Sequence, residues 1–483
     1  MTCTAAALSR PSAFALRWRE RLQRAWLQPE LRWLGAILVL AAALRIVWVI
    51  YAGREPQGVH DPIFYYAYGD AIADGRGYAL PDGSTAYYPI GYPAALAAVF
   101  ALVKHTPIPD NLVLTAGFFQ AFLGVATVAL AFELARRLFS PAVGLMTALW
   151  LAVFPNLIYH TATYLSETLF NLLIVAALLV LLAVDWRERR LGWGRLVLFG
   201  VLLGASALVR PISLLFLPLL PIVWLAAGFG WRRSLGYTGA VLVATVAVIA
   251  PWTVRNMVVM DAPVIISTNL GDNLCMGHYP GATGHFALPE RCFAEEPYLG
   301  LTREEFEVRR NNDNTRKAVR FALEHPGYEL KLLSRKSYYI WKHDHDGLQA
   351  VESYGDDRFI GASLRTALER TADVFFFVTI SLGGLGLVAF VAPPWEGRRL
   401  FTLLSLLALA GVPLVFFGDA RFHVPVLPLL AVSAAWLVVG LRAAPGLLAA
   451  AAASSKGAGR PSAAVEIAEA EPSVAEQDAL QDA

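Results

Sequence analysis

Two carboxylates and a set of arginines stand where apolar stretches of this 483-residue chain give way to polar sequence. Asp61 follows the first apolar span by about ten residues, in His60-Asp61-Pro62, and the polar stretch runs on to Tyr87-Tyr88-Pro89-Ile90-Gly91-Tyr92-Pro93. A carboxylate at a water–lipid boundary can act as a general base or a metal ligand toward a substrate with a wet head and a lipid tail. It can also merely start a helix, since Asp before Pro is a common helix opening. Glu167, in Tyr164-Leu165-Ser166-Glu167, sits at the outer end of a later span. Ionisable groups near membrane helices are expensive and point to function, unless the acid is simply solvated at a helix end.

Arg210, Arg255 and Arg421 fall at the expected outer ends of helices. They could snorkel to lipid phosphates, or bind a lipid-linked phosphate, whose paired oxygens a guanidinium matches. Arg421 lies in Gly418-Asp419-Ala420-Arg421-Phe422-His423, before a Pro-rich apolar helix, and is the leading phosphate ligand. Arg45, inside the first span, reads as structural. The run His343-Asp344-His345-Asp346 has the composition of a metal cluster, but its alternating spacing suits a solvated polar turn better. The sequence has no Gly-rich phosphate loop, no His-Glu-x-x-His and no Gly-x-Ser-x-Gly, which argues against nucleotide-driven and zincin-like chemistry.

The elements that must position these residues are membrane helices. The chain is 57% hydrophobic and 16% charged, with mean hydropathy +0.51, against about 25% charged in soluble domains. Net charge is +2, so no basic field points to nucleic acid. The 13 Trp and 17 Tyr suit interfacial belts. Apolar stretches near 33–51, 111–135, 142–159, 164–184, 195–210, 212–229, 236–256, 372–392, 399–417 and 422–441 predict about ten spans. Arg136-Arg137, Arg187 with Arg189-Arg190, Arg232-Arg233 and Arg398-Arg399 then share one side with the basic N-terminal arm, which would be cytoplasmic.

The expected organisation is an uncleaved basic arm at 1–32 and a transmembrane module at 33–256 whose first outer loop is 52–110. An outer soluble segment at 257–371, C-terminal spans at 372–441 and a disordered cytoplasmic tail at 442–483 follow. Within the first loop, 63–73 and 93–103 read as juxtamembrane helices too short to span; 318–341 reads as one interfacial helix. Cys275 and Cys292 share the outer segment and could pair there, or remain two thiols; Cys3 lies in the arm.

At these residues the chain resembles the GT-C glycosyltransferases that use polyprenyl-phosphate-linked sugars, in particular the family-39-like group that includes protein mannosyltransferases and the aminoarabinose transferase. The resemblance spans about 33–441. It rests on Arg45; Asp61 with Tyr65-Tyr66; Tyr88 to Pro93; Ala135 to Phe139, with Pro155 and Tyr164 to Glu167; Leu208 to Pro211 and Pro251 to Asn256; His325-Pro326-Gly327 through Trp341; and Arg421 to Pro428.

The resemblance implies an all-α polytopic membrane enzyme with juxtamembrane helices in the first outer loop and one small outer domain. It would transfer a sugar from a polyprenyl-phosphate donor to a protein, lipid or polysaccharide acceptor on the outer face of the plasma membrane. Inversion would follow from Asp61 as general base. Glu167 would join it as a catalytic residue or as a second ligand to a divalent metal, which some relatives use and others lack. Arg255, Arg421, Arg210, Tyr88 and His423 would hold donor and phosphate. The chain departs from the pattern at Pro62, where many relatives have Glu, and at Tyr87-Tyr88, where some have lysine.

Two other classes stay open from sequence. One is a transporter or flippase of lipid-linked glycans, which would carry polar groups near the midplane. The other is an O-antigen ligase or polymerase using Arg and His, with His343 and His345 as candidates. The ionisable residues at helix ends favour the transferase.

Overall fold

A computed structural model describes residues 29–81, 83–106 and 111–457; the greater part of the expected basic arm, Cys3 and residues 458–483 of the expected tail lie outside the described residues. The chain is helical almost throughout. The first span, α1 (Pro29–Ala52), leads to the two juxtamembrane helices α2 (Asp61–Ala73) and α3 (Gly91–Lys104), which pack against each other. Between them lies a small antiparallel ribbon, β1 (Ala79–Leu80) with β2 (Gly83–Ser84). Pro62 opens α2: its missing N–H is one the first turn would leave unbonded anyway.

Then come α4 (Leu112–Leu138), α5 (Pro141–Ala152), α6 (Pro155–Tyr159), α7 (Glu167–Leu182), α8 (Trp193–Val209), α9 (Phe216–Ala226) and α10 (Trp231–Val259). Residues 257–371 hold α11 (Leu270–Gly277), α12 (Glu290–Phe293), α13 (Arg303–Glu324), α14 (Pro326–Trp341) and α15 (Asp346–Val351). The chain closes with α16 (Ala362–Gly386), α17 (Gly397–Gly411) and α18 (Leu427–Gly457).

A helix lies over every stretch expected to span, but the helices are not alike. Six runs are long and apolar enough to cross a membrane: Pro29–Ala52, Leu112–Leu138, Trp231–Val259, Ala362–Phe390, Gly397–Val415 and Ala420–Ala443. The stretch expected as one span over 142–159 is bent by 60° between Pro141–Ala152 and Pro155–Ala162. Glu167–Leu182, Trp193–Val209 and Pro211–Ala226 are shorter apolar helices. Sixteen residues rise only about 24 Å, less than the roughly 30 Å hydrocarbon layer. Large apolar side chains face outward along the long helices, with Val39, Phe122, Val243, Val258 and Leu385 about two-thirds or more exposed; lipid is the solvent that makes this stable. The protein is a multi-pass membrane protein.

The break after Ala152 has a local cause. Pro155 cannot donate the hydrogen bond that the Leu151 carbonyl needs. Buried Arg45 supplies it, Nη2 donating to Leu151 O at 3.0 Å and Nη1 to Ala152 O at 3.0 Å. The structural reading of Arg45 holds, and its task is specific.

Two boundaries differ from expectation. The helix expected over 318–341 is two helices, because Pro326 cannot continue α13 and instead opens α14. The last helix runs past 441 to Gly457 through an alanine-rich run of high helix propensity. The first compact unit ends at Val439 and the second, Gly440–Ala483, begins inside that helix. Cys275 of α11 and Cys292 of α12 form a disulfide, with Cα atoms 6.0 Å apart.

Candidate functional site

Asp61 occupies the first turn of α2, behind His60 at the N-cap position, whose side chain makes no capping bond. Asp61 is therefore not the cap that its position before Pro62 allows. Its oxygens point elsewhere: the Tyr88 hydroxyl donates to Oδ1 at 2.7 Å and Arg421 Nη1 to Oδ2 at 2.5 Å. Burial raises the Asp61 pKa, but Arg421 and the Tyr88 hydrogen bond outweigh it and hold the carboxyl below its ordinary range. It is an ionised carboxylate at neutral pH, one-third exposed.

Arg421 faces a second acid as well. Its Nε donates to Glu167 Oε1, which also accepts from Arg210 Nη2. Arg210 Nε donates to Ser166 Oγ at 2.9 Å. Glu167 is fully buried and its Oε2 has no partner. Two acids and two guanidiniums form one chain, Asp61–Arg421–Glu167–Arg210, with formal charge balanced.

Each member stands at an interruption of regular helix. Asp61 and Glu167 open α2 and α7; Arg210 closes α8 in an extended conformation before Pro211. Arg421 lies in the 3₁₀ turn Ala420–Val426, where its own N–H donates to Asp419 Oδ1 at 2.9 Å. Helix N-termini favour anionic side chains, which suits both acids. An aromatic wall backs the cluster, with Tyr65 packed 5.0 Å from Tyr88 and 5.2 Å from Tyr92 between ring centres.

Of the residues singled out in the sequence, the structure brings together Asp61, Glu167, Arg210, Arg421 and Tyr88. Two go elsewhere. Arg255 is a clamp on the loop 52–110, donating to Thr85 O at 2.6 Å and Tyr78 O at 2.9 Å and lying over Trp252. Its guanidinium is spent on carbonyls, so it is corrected from a phosphate ligand to a loop anchor. His423, two residues after Arg421, is buried and turned away from the cluster: Nδ1 donates to Ile340 O at 2.6 Å and Nε2 faces Asp344 Oδ1 at 2.7 Å. Because a carbonyl can only accept, Nδ1 carries a proton, and one further proton lies between Nε2 and Asp344.

The reading of Asp61 and Glu167 as metal ligands does not fit. Both Asp61 oxygens and one Glu167 oxygen already accept hydrogen bonds, and Arg421 supplies positive charge between them. A cation there would compete with a guanidinium already in place.

The turn at 343–346 is also corrected. It is not solvated: Asp344 and Asp346 are buried. Asn156 Nδ2 donates to Asp344 Oδ1 at 2.5 Å and Asp346 Oδ1 at 2.8 Å, and its Oδ1 accepts from Gly347 N at 3.0 Å. His160 Nε2 faces Asp346 Oδ2 at 3.1 Å. Burial pushes the Asp344 carboxyl up to about 6, although His423 and Asn156 pull against it. Burial also raises Asp346, but the imidazole of His160 outweighs it and holds Asp346 well below the usual range.

Sequence reasoning missed Asn156 and His160, which sit in the bent span. A histidine inside an apolar stretch was the available signal. It missed Tyr354 too, a positive-φ residue (φ 55) whose ring lies 4.9 Å from His60. No pattern announces a left-handed tyrosine.

Residues of α11 and α13 grip the aromatic motif. Glu307 Oε1 accepts from Thr85 Oγ1 at 2.6 Å, and Oε2 from Ala86 N at 3.1 Å. The Tyr87 hydroxyl donates to Asp272 Oδ2 at 2.9 Å, and Arg310 and Asn314 complete that acid's shell.

Residues 89–254 match the family of dolichyl-phosphate-mannose-protein mannosyltransferases. Comparison with curated proteins finds no sequence match. Among solved structures, the oligosaccharyltransferase of Archaeoglobus fulgidus in its apo form is similar at TM-score 0.52 and 14% identity, over 90% of this chain and 53% of that one. The same enzyme tethered to an acceptor peptide containing the NVT sequon aligns at TM-score 0.50 and 13% identity, over 86% and 50%. ArnT of Cupriavidus metallidurans bound to undecaprenyl phosphate aligns at TM-score 0.49 and 13% identity, over 83% and 60%. The chain spans about half the length of the oligosaccharyltransferase it matches and shares its fold.

Proposed function

We propose that the protein is a membrane glycosyltransferase that moves a sugar from a polyprenyl-phosphate donor to an acceptor hydroxyl or amine at the outer face of the plasma membrane, with its N-terminus cytoplasmic. The observation that carries this reading is the Asp61–Arg421–Glu167–Arg210 chain, assembled from helix interruptions beside an aromatic wall. The family match over 89–254 supports a phosphate-linked donor. The Cys275–Cys292 pair supports an oxidising compartment for the outer segment.

In this reading the acceptor attacks the anomeric carbon from the face opposite the phosphate. The new bond to C1 forms as the C1–phosphate oxygen bond breaks, the polyprenyl phosphate departs, and the acceptor proton passes to Asp61. Configuration inverts. Arg421 and Arg210 turn toward the departing phosphate, where negative charge develops. Glu167, buried between them, keeps both guanidiniums in place until the phosphate arrives. No metal enters these steps.

The test is transfer in membranes or detergent with a synthetic polyprenyl-phosphate sugar. Wild type is expected to consume it and release polyprenyl phosphate, and Asp61→Asn to do neither while expressing normally. A requirement for a nucleotide sugar would overturn the donor class. Full activity in Asp61→Asn would overturn the base. Envelope glycans and lipid-linked sugars compared with and without the gene would name the sugar, as the donor that accumulates.

A further inference from the structure

The residues of the His343–Asp346 run point alternately to two sides. The two acids face inward, to Asn156, His160 and His423. The two histidines face α16, where Asp373 meets them. His345 Nδ1 lies 2.9 and 3.1 Å from the two Asp373 oxygens, and Asp373 Oδ1 accepts from Asp344 N at 2.8 Å. The His343 and His345 rings stack with centres 4.2 Å apart. His343 Nδ1 is buried and has no hydrogen-bond partner. One ligand atom from each of His343, His345 and Asp373 lies within 4.8 Å of the others, the one such trio among the described residues.

We infer that His343, His345 and Asp373 form a zinc-class divalent metal site that is separate from the Asp61 cluster and pins the 342–346 turn to α16. Two imidazoles and one carboxylate are a borderline donor set of the kind zinc takes, with a fourth position left to water. Tetrahedral ligation at 2.0–2.1 Å brings donor atoms to roughly 3.4 Å of one another, so from a spread within 4.8 Å the trio closes by at most about 1.4 Å. Side-chain rotation at three partly buried residues supplies that. An orphaned ring nitrogen in a buried position is otherwise a cost without return; a metal bond removes it.

The site has a consequence beyond its own stability. The residues between the ligands, Asp344 and Asp346, hold His423 and His160. Fixing the histidines on one side of the turn fixes the acids on the other, and His423 stands two residues from Arg421. The metal is thus a positioning element and touches no reacting atom.

The experiment uses the full-length protein in detergent, stripped with chelator and reloaded with Zn²⁺ or Co²⁺. One equivalent per chain is expected, with a rise in the thermal midpoint and, for Co²⁺, visible absorption of a low-coordinate site. His343→Ala removes a ring whose Nδ1 has no partner, so the variant is expected to keep its metal-free midpoint while losing the bound metal and the metal-dependent rise. Asp373→Asn, which keeps shape and hydrogen-bonding ability, is expected to bind at least tenfold more weakly. Stoichiometric metal in His343→Ala, or no metal in wild type, overturns the site. The readout is metal content and spectrum, so it stands whatever the donor assay shows.

Discussion

Arg421 and Asp61 lie 360 residues apart in the chain and meet at 2.5 Å. The same guanidinium reaches Glu167 through its Nε. A planar fork with donors on two edges fixes the directions in which the two carboxylates are held, whereas an ammonium, such as Lys104 between Asp70 and Asp74, bridges two acids only as a point charge.

Asp61→Asn keeps the size of the side chain and the Tyr88 contact but removes the proton acceptor. The expected loss of transfer is roughly 10²- to 10⁴-fold, the usual range for a positioned general base. The rate with a polyprenyl-phosphate sugar measures it, and unchanged elution in detergent confirms folding.

Arg421→Gln leaves fully buried Glu167 with Arg210 alone. Removing one partner of a buried pair typically costs about 3–5 kcal/mol, so the thermal midpoint should fall together with activity. Arg421→Lys should restore charge but not the fixed planar geometry of the fork, recovering stability more than rate. If Lys recovers both, the fork geometry is irrelevant.

The pH profile has a definite sign. Because the native Asp61 pKa is depressed, the ionised form, and the stability it contributes, persist above the ordinary carboxylate value of about 3.9. Both are lost only as pH falls through the lower native value. Tyr88→Phe removes one donor to Asp61 Oδ1 and should move the acid limb of kcat/KM upward. An unmoved limb would assign that limb to another group.

Arg45→Met keeps apolar volume but leaves the Leu151 and Ala152 carbonyls unserved. Each unsatisfied buried acceptor costs about 1–3 kcal/mol. A lower midpoint is expected, with weakened catalysis, since α6 carries Asn156 and leads into His160.

Reduction of Cys275–Cys292, or Cys275→Ser, opens a loop with sequence separation 17. Loop-closure entropy puts the loss near 3 kcal/mol. Thermal unfolding with and without reductant reads it directly. The effect should be confined to residues 257–371, with the apolar helices unaffected.

The membrane character, the helices over all ten apolar stretches and the pair of juxtamembrane helices were legible because apolar length and Pro/Gly punctuation are local properties. Asp61, Glu167, Arg210 and Arg421 were legible as candidates because charge at a helix end is conspicuous against an apolar background. The His-Asp-His-Asp run misled for the same reason. Its polarity suggested solvent, whereas Asn156 and His160, brought in by the bend at Pro155, give it buried partners.

The sequence by itself marked where helices can break: Pro62, Pro155, Pro211 and Pro326 lack the donor that continuation requires, although Pro221 and Pro251 lack it too and sit inside α9 and α10. Only the tertiary structure decided which breaks meet. Arg255 and Arg421 look alike in sequence, each a cation at a helix end. Packing sent one to backbone carbonyls and the other between two acids. Pairing of buried charge depends on what lies within a few ångströms, and residues 360 positions apart carry no local trace of that.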